Sequence, residues 1–330
     1  VNMFDKVDVF QLQMNPSNSN EYRFDGQWLK LEKQKVKLKV KGIPIRIGKK
    51  AYWSVYGPTV KADNGTFSVR MPALMDAKAL EEWYRMNKAR NFSEFYQALS
   101  MTSLPMFNIV YADRYDTIFY VSNGKVPRRN PDPQYDWGST LPGNTSATLW
   151  LAFKGIEELP QYVNPKAGYL FNTNHSPFLA TALADNLDTA NFDPNDGFFR
   201  RHNNRSKRVT EIMPEGKLDY DTFKRIKFDQ QLPQELQYEI NLDAFWTLDA
   251  GRYPDLANVI NSLQQWDRKA TVDSRGAAVF LLLYYKLYSK YRNVTGSLPE
   301  EEAVATYQYV HDYMVEHLSL IHISEPTRPY

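Results

Sequence analysis

Between residues 124 and 177 the chain runs for about 50 residues rich in Pro, Gly, Asn and Asp, too irregular for helix and punctuated by Trp137 and Trp150. Long ordered loops of this kind line sites and need a rigid scaffold to carry them. On the N-terminal side, residues 29–41 alternate Leu and Val with Lys33, Lys35, Lys37, Lys39 and Lys41, which predicts a half-buried strand. Lysines on such a face solvate it and block edge pairing in preference to forming a nucleic-acid stripe. Asn64-Gly65, between apolar-rich runs over 52–60 and 66–69, predicts a hairpin. Residues 73–101 have helical periodicity broken near Asn91, where Asn91 and Glu94 have capping-box spacing. Strands over 107–112 and 117–121 flank a second hairpin turn. After Asn186 the pattern becomes mainly helical, over 254–266, 275–291 and 299–317. The expected class is therefore α+β, with strands and loops over 1–185 and helices over 186–317.

Composition narrows the chemistry. The chain has no Cys, which excludes a disulfide framework, a thiolate nucleophile or Cys-ligated metal within it, and it has only five His. Forty basic against 38 acidic residues leave a net charge of +2, which argues against a dedicated nucleic-acid binder. The longest apolar run, 277–285, is too short to span a bilayer, so no membrane span is expected. No GxGxxG, Walker A, HExxH or GxSxG occurs. The Asp/Asn-rich stretch 188–197 fails as an EF-hand, because counting from Asp193 the glycine comes one position early and Asn204 stands where a bidentate Glu is needed. His175 and His202 have no partner at ligand spacing. Val1-Asn2-Met3 opens without a signal-peptide pattern, so the chain is expected to begin within a domain. Residues 318–328 match the translation of a sequencing-library adapter, and 318–330 are therefore expected to be non-native.

Three segments together are more specific. The first is Asn108-Ile109-Val110-Tyr111-Ala112-Asp113 with Gly124-Lys125-Val126-Pro127-Arg128-Arg129. The second is Leu141-Pro142-Gly143, Trp150 and Glu158-Leu159-Pro160, leading through Asn164-Pro165 and Gly168 to Asn172-Thr173-Asn174-His175-Ser176-Pro177. The third is Arg205-Ser206-Lys207-Arg208-Val209-Thr210-Glu211-Ile212. In order and spacing they resemble the β-chain of the penicillin acylase family of N-terminal-nucleophile hydrolases, which includes acyl-homoserine-lactone acylases. Val7-Asp8-Val9-Phe10, Tyr56-Gly57-Pro58 and Leu263-Gln264-Gln265-Trp266-Asp267 before Gly276-Ala277 extend the resemblance over about residues 5–290.

The resemblance implies an incomplete four-layer αββα fold and acyl transfer from an amide to water, with no cofactor needed for catalysis. The family's nucleophile is the first residue of the β-chain, exposed by self-cleavage. It is expected to precede Val1 together with the α-chain, which would leave 1–317 as an interior β-chain segment that is inactive alone. Asn174 matches the asparagine whose amide binds the tetrahedral oxyanion, a fixed neutral donor aimed at developing charge. Arg208 matches a supporting arginine, and Arg205, three residues earlier on the same expected helix face, leaves the choice between them open. Trp83 and Phe107 match acyl-pocket walls, although at helical spacing Trp83 also suits a core. Asp5, the Val7 carbonyl, Asp8 and Asp185 match a calcium site of some members, whose proline-carbonyl ligand has no clean counterpart here. The implied substrates are N-acyl amides, namely acyl-homoserine lactones, penicillins or acylated peptides, and the implied location is bacterial periplasm or outside the cell. Tyr22-Arg23-Phe24-Asp25-Gly26 and the Tyr56 strand lean toward the lactone acylases. The alternative is a non-catalytic acylase relative or an aromatic-rich module binding a glycan or other ligand.

Overall fold

A computed structural model describes residues 5–317 other than 43, 215, 217, 237–239, 275, 292 and 293; the expected adapter residues 318–330 lie outside the described residues. The chain divides into two compact units, Val1–Arg201 and His202–Tyr330.

In the first unit the strands are β1 (Asp8–Gln11), β2 (Met14–Asn15), β3 (Asn18–Phe24), β4 (Gln27–Lys30), β5 (Glu32–Leu38), β6 (Ile47–Trp53), β7 (Pro58–Ala62) and β8 (Gly65–Arg70). After helices α1 (Ala79–Lys88) and α2 (Phe92–Leu99) come β9 (Phe107–Ala112), β10 (Ile118–Asn123), β11 (Leu141–Pro142) and β12 (Gln161–Val163). They form sheets of order β11-β1-β8-β7-β6-β5, β12-β10-β9 and β2-β3-β4. In the first, β1 runs antiparallel to β8 and parallel to β11. Strand β8 buries every second residue, as a strand covered on one face should. Phe10 stacks on Tyr56 at 4.2 Å, and the Tyr56 hydroxyl donates to the Thr145 carbonyl at 2.6 Å, tying the long loop to this sheet.

The hairpin of β9 and β10 pairs over six positions from Phe107↔Asn123 to Ile118↔Ala112. Asp113 closes its turn, accepting the Tyr115 and Thr117 N–H groups at 2.8 and 3.0 Å. Helix α2 begins where expected: Asn91 Oδ1 accepts the Glu94 N–H at 2.9 Å, while Glu94 accepts the Arg90 N–H. Its Phe92 and Tyr96 then pack edge-on against buried Phe119. Burying a side chain such as Phe119 contributes about 1.5–3 kcal/mol.

Two expectations change. The hairpin at Asn64-Gly65 forms, but Ala62 pairs with Gly65, so Asp63 and Asn64 make the turn. The lysine-alternating segment is not half-buried: it breaks at buried Leu31, and every residue of β5 is exposed. The reason is topological, since β5 ends its sheet and pairs only with β6.

The second unit is helical: α3 (Asn204–Ile212), α4 (Tyr220–Lys227), α5 (Asp243–Thr247), α6 (Ala257–Gln264), α7 (Ala277–Tyr291) and α8 (Glu300–His317), with β13 (Ile240–Asn241) and β14 (Gly296–Ser297) pairing parallel. Buried Ala303, Tyr307, Val310 and Met314 form the inward stripe of α8, at the spacing of one helix face. Trp266 stacks on Phe280 at 4.6 Å. A side chain at Gly276 (φ +85°) would put its Cβ 2.3 Å from the Ser262 carbonyl oxygen, so this contact requires glycine.

Candidate active site

The first strand of the site hairpin presents two neighbours with different tasks. Phe107 turns its ring to Trp83 of α1, edge to face at 5.9 Å, so the two expected pocket walls meet. Trp83 remains 40% exposed and Phe107 is half-buried, which leaves an apolar surface at the site instead of a sealed core. Asn108, next in the strand, points to a polar relay. The Ser122 hydroxyl on β10 donates to Asn108 Oδ1 at 2.9 Å, which orients the amide, and Asn108 Nδ2 donates to Asn172 Oδ1 at 3.0 Å. The same Asn172 oxygen accepts the backbone N–H of Asn174 at 3.0 Å.

Asn174 therefore sits on a turn fixed from β9 and β10. Its φ of +58° is left-handed, a conformation that asparagine tolerates better than most residues. On its C-terminal side the chain dives inward: His175 is buried, stacks on Phe171 at 4.7 Å and donates from Nε2 to the Leu179 carbonyl at 2.7 Å. Because the Thr173 N–H donates to His175 Nδ1 at 3.2 Å, the ring is held as the Nε2–H tautomer, a structural role. Ser176 caps the following turn by accepting the Phe178 N–H. Asn174 itself is exposed, anchored on both flanks.

Beside Trp83, the buried carboxylate of Glu82 holds the segment leading into β9. It accepts the Ser103 and Leu104 N–H groups on one oxygen and Asn123 Nδ2 at 3.0 Å on the other. Burial pushes its pKa up from 4.5 to about 6 against these donors. Sequence reasoning missed Glu82, Asn108 and Asn172 as positioning residues. The available signal was Glu82 four residues before buried Met86, which puts a carboxylate on the inward face of α1. A cavity of about 250 Å³ adjoins this segment, lined among others by Met71, Leu104, Met106, Lys6 and Lys125; neither Trp83 nor Phe107 lines it.

Arg205 and Arg208 belong to the second unit, on α3, whose start Asn203 caps by accepting the Ser206 N–H. Arg208 grips Asp229 with two bonds of 2.8 and 3.1 Å and adds Gln231 and Glu211 at 3.1 and 3.3 Å. The Asp229 bonds raise its already high pKa and hold the Asp229 carboxyl below its usual range. Arg205 is exposed on the same helix.

The expected calcium ligands do not fit a cation. Asp8 is buried with both oxygens engaged: Arg129 donates to them at 2.8 and 3.3 Å and the Trp150 indole at 2.6 Å. Arg129 also takes the Asp5 carbonyl at 2.9 Å and the Asn195 carbonyl at 2.6 Å. The guanidinium thus supplies the positive charge that these oxygens need, and a divalent ion beside it would face repulsion. Asp185 turns its carboxylate to the Ala167 N–H at 2.6 Å. Among the described residues no group of three His, Asp or Glu side chains is placed to hold a metal, so Asp5, Val7, Asp8 and Asp185 are not gathered as a calcium site. Nor is any described helix long and apolar enough to cross a membrane.

This arrangement has recognisable relatives. Acyl-homoserine lactone acylase PvdQ of Pseudomonas fluorescens is 25% identical over 295 residues, covering 81% of this chain and 37% of that protein. Penicillin G acylase of Escherichia coli is 28% identical over 178 residues, 52% of this chain and 20% of that protein. The chain thus spans less than two fifths of the length of these relatives. Among solved structures, thermostable penicillin G acylase from Alcaligenes faecalis superposes with a TM-score of 0.67 at 18% identity, over 96% of this chain and 66% of that one, so the mixed α/β fold is shared. The profile of the family described as penicillin amidase matches residues 1–322, and the chain belongs to that family.

Proposed function

We propose that this chain forms the oxyanion-binding and acyl-binding part of an amidohydrolase acting on N-acyl compounds. The observation that carries the reading is the clamped turn: Ser122, Asn108 and Asn172 fix the backbone of Asn174, and Phe107, which precedes Asn108 in β9, meets Trp83. When a nucleophile adds to an amide carbonyl, the C–O double bond becomes a C–O⁻ single bond. The Asn174 amide meets that charge with a neutral donor whose main chain needs no reorganisation. Collapse of the intermediate expels the amine, which leaves with a proton, and water then releases the acid.

In this reading Trp83 and Phe107 wall the acyl group, and either Arg208, pinned by Asp229, or Arg205 takes the part of the family's supporting arginine. The nucleophile is the self-cleavage-exposed first residue of a β-chain that continues N-terminal to Val1, with an α-chain from the same precursor as partner and a four-layer αββα whole. Acyl-homoserine lactones, penicillins and acylated peptides are the substrate candidates, with a lean to the lactones, in the periplasm or outside the cell. Two relatives named for such reactions support the choice. The test is to express the completed gene and assay acyl-homoserine lactones and penicillin G for amine release. Two chains and activity are expected, and a single uncut, inactive chain overturns the reading.

A further inference from the structure

Residues 30–50 hold nine basic side chains (Lys30, Lys33, Lys35, Lys37, Lys39, Lys41, Arg46, Lys49 and Lys50) against one carboxylate, Glu32, a local net charge of +8. The whole chain carries +2, so the remainder carries −6. The basic residues are not spread over the sheet. Strands β5 and β6 pair from Glu32↔Trp53 to Leu38↔Ile47, but β7 accompanies β6 only at Tyr52 and Trp53. From Ala51 outward the two strands form a ribbon that leaves the sheet, roughly 20 Å long at 3.4 Å per residue. Register sorts its faces: Lys33, Lys35, Lys37, Lys50 and Tyr52 share one, whereas Val36, Leu38, Ile47, Lys49 and Trp53 share the other. Leu38, Val40 and Ile45, toward the ribbon's end, are 46%, 41% and 71% exposed.

We propose that this ribbon docks the protein on an anionic lipid surface. Lysines spaced along one face meet phosphate headgroups, and the exposed aliphatic side chains at its end enter the boundary between headgroups and acyl chains. Tyr52, on the lysine face near the ribbon's base, suits the interfacial layer. The aliphatic end favours lipid over nucleic acid, because phosphate contacts along a polynucleotide use basic and polar groups and give exposed Leu, Val and Ile nothing to bury against. The opposite sign of the remaining chain turns the ribbon toward a negative surface and the rest away.

The experiment is co-sedimentation of the full 330-residue chain with phosphatidylcholine vesicles with and without phosphatidylglycerol. Binding is expected only with the anionic lipid and is expected to be lost at high salt. Each Lys→Gln change at Lys33, Lys35, Lys37 or Lys50 should weaken partitioning about fivefold. Leu38→Ser with Ile45→Ser should weaken it about tenfold while leaving the salt dependence in place. All of these positions are exposed, and matching unfolding curves confirm that the variants fold. Equal binding to both vesicle types, or none to the anionic ones, overturns the proposal. So does duplex DNA that the chain retains with the same lysine dependence and no effect of the Leu38/Ile45 pair.

Discussion

Two antiparallel hairpins of nearly equal length, β5–β6 and β9–β10, have opposite fates. Strand β5 alternates apolar and polar residues over its second half, whereas β10 opens with the unbroken apolar run Ile118 to Val121, the pattern of a strand covered on both faces. Strand β10 lies between β9 and β12 beneath the aromatic side chains of α2, and its residues from Phe119 to Asn123 are all buried. Strand β5 has one neighbour and no cover, so its alternating pattern faces solvent on both sides. Alternation specifies a strand; a third strand and a covering layer specify burial. The buried hairpin can hold Asn108 and Phe107 in fixed positions because its far side is paid for by the core.

That contrast can be broken hardest at Glu82. Removing this carboxylate as Glu82→Ala leaves the Ser103 and Leu104 amides and the Asn123 side chain short of an acceptor in a buried place, and about 4 kcal/mol of stability should be lost in urea unfolding. A loss under about 1 kcal/mol would mean that the segment entering β9 is held by something else. Next is the turn that the hairpin supports. In the completed enzyme Asn174→Ala should lower turnover by about 10²–10³ with little change in KM; near-normal turnover removes Asn174 from the oxyanion role.

The pH dependence of Glu82 sharpens the comparison further. Its folded pKa, about 6, lies above the ordinary 4.5, so between these values the folded state binds more protons than the unfolded one. Stability from this group is greatest below pH 4.5, falls as pH rises through about 6 and is flat above. A Glu82→Gln variant lacks the titration, so the gap between its stability and the wild type's should change by about 2 kcal/mol over that window. A constant gap from pH 4 to about 7 contradicts the assignment. Asn108→Ala, which frees Asn172, should cost about 1 kcal/mol in stability and a severalfold drop in turnover. At the other hairpin, Lys35→Gln or Val36→Thr should change stability by less than about 0.5 kcal/mol. A larger effect there would mean that β5 is covered after all.

Much of the scaffold was readable from residue pattern, because its signals are local. Asn91 and Glu94 announce the start of α2, Asp113 closes the site hairpin, and the apolar stripe of α8 follows its period. The meeting of Trp83 and Phe107 depends on α1 packing over β9, which periodicity alone does not give. The calcium expectation failed for a non-local reason. Nothing near Asp8 in sequence reveals that a guanidinium 121 residues later occupies its oxygens. The asparagine relay was equally hidden, since Asn108 and Asn172 stand 64 residues apart and each alone reads as an ordinary loop or strand-edge amide.

The Asp8–Arg129 pair has a bearing on how the chain is made. Strand β1 leaves a ribosome ahead of the segments that complete it: its carboxylate needs Arg129 and Trp150, and the arginine in turn needs the Asn195 carbonyl. At roughly 5–20 residues per second, the interval between Asp8 and Asn195 is on the order of 10–40 s. During that time a strand with a charged group destined for burial has no partner. Such a strand is completed only after Asn195 has followed it, so β1 stays open to other contacts for that stretch of translation.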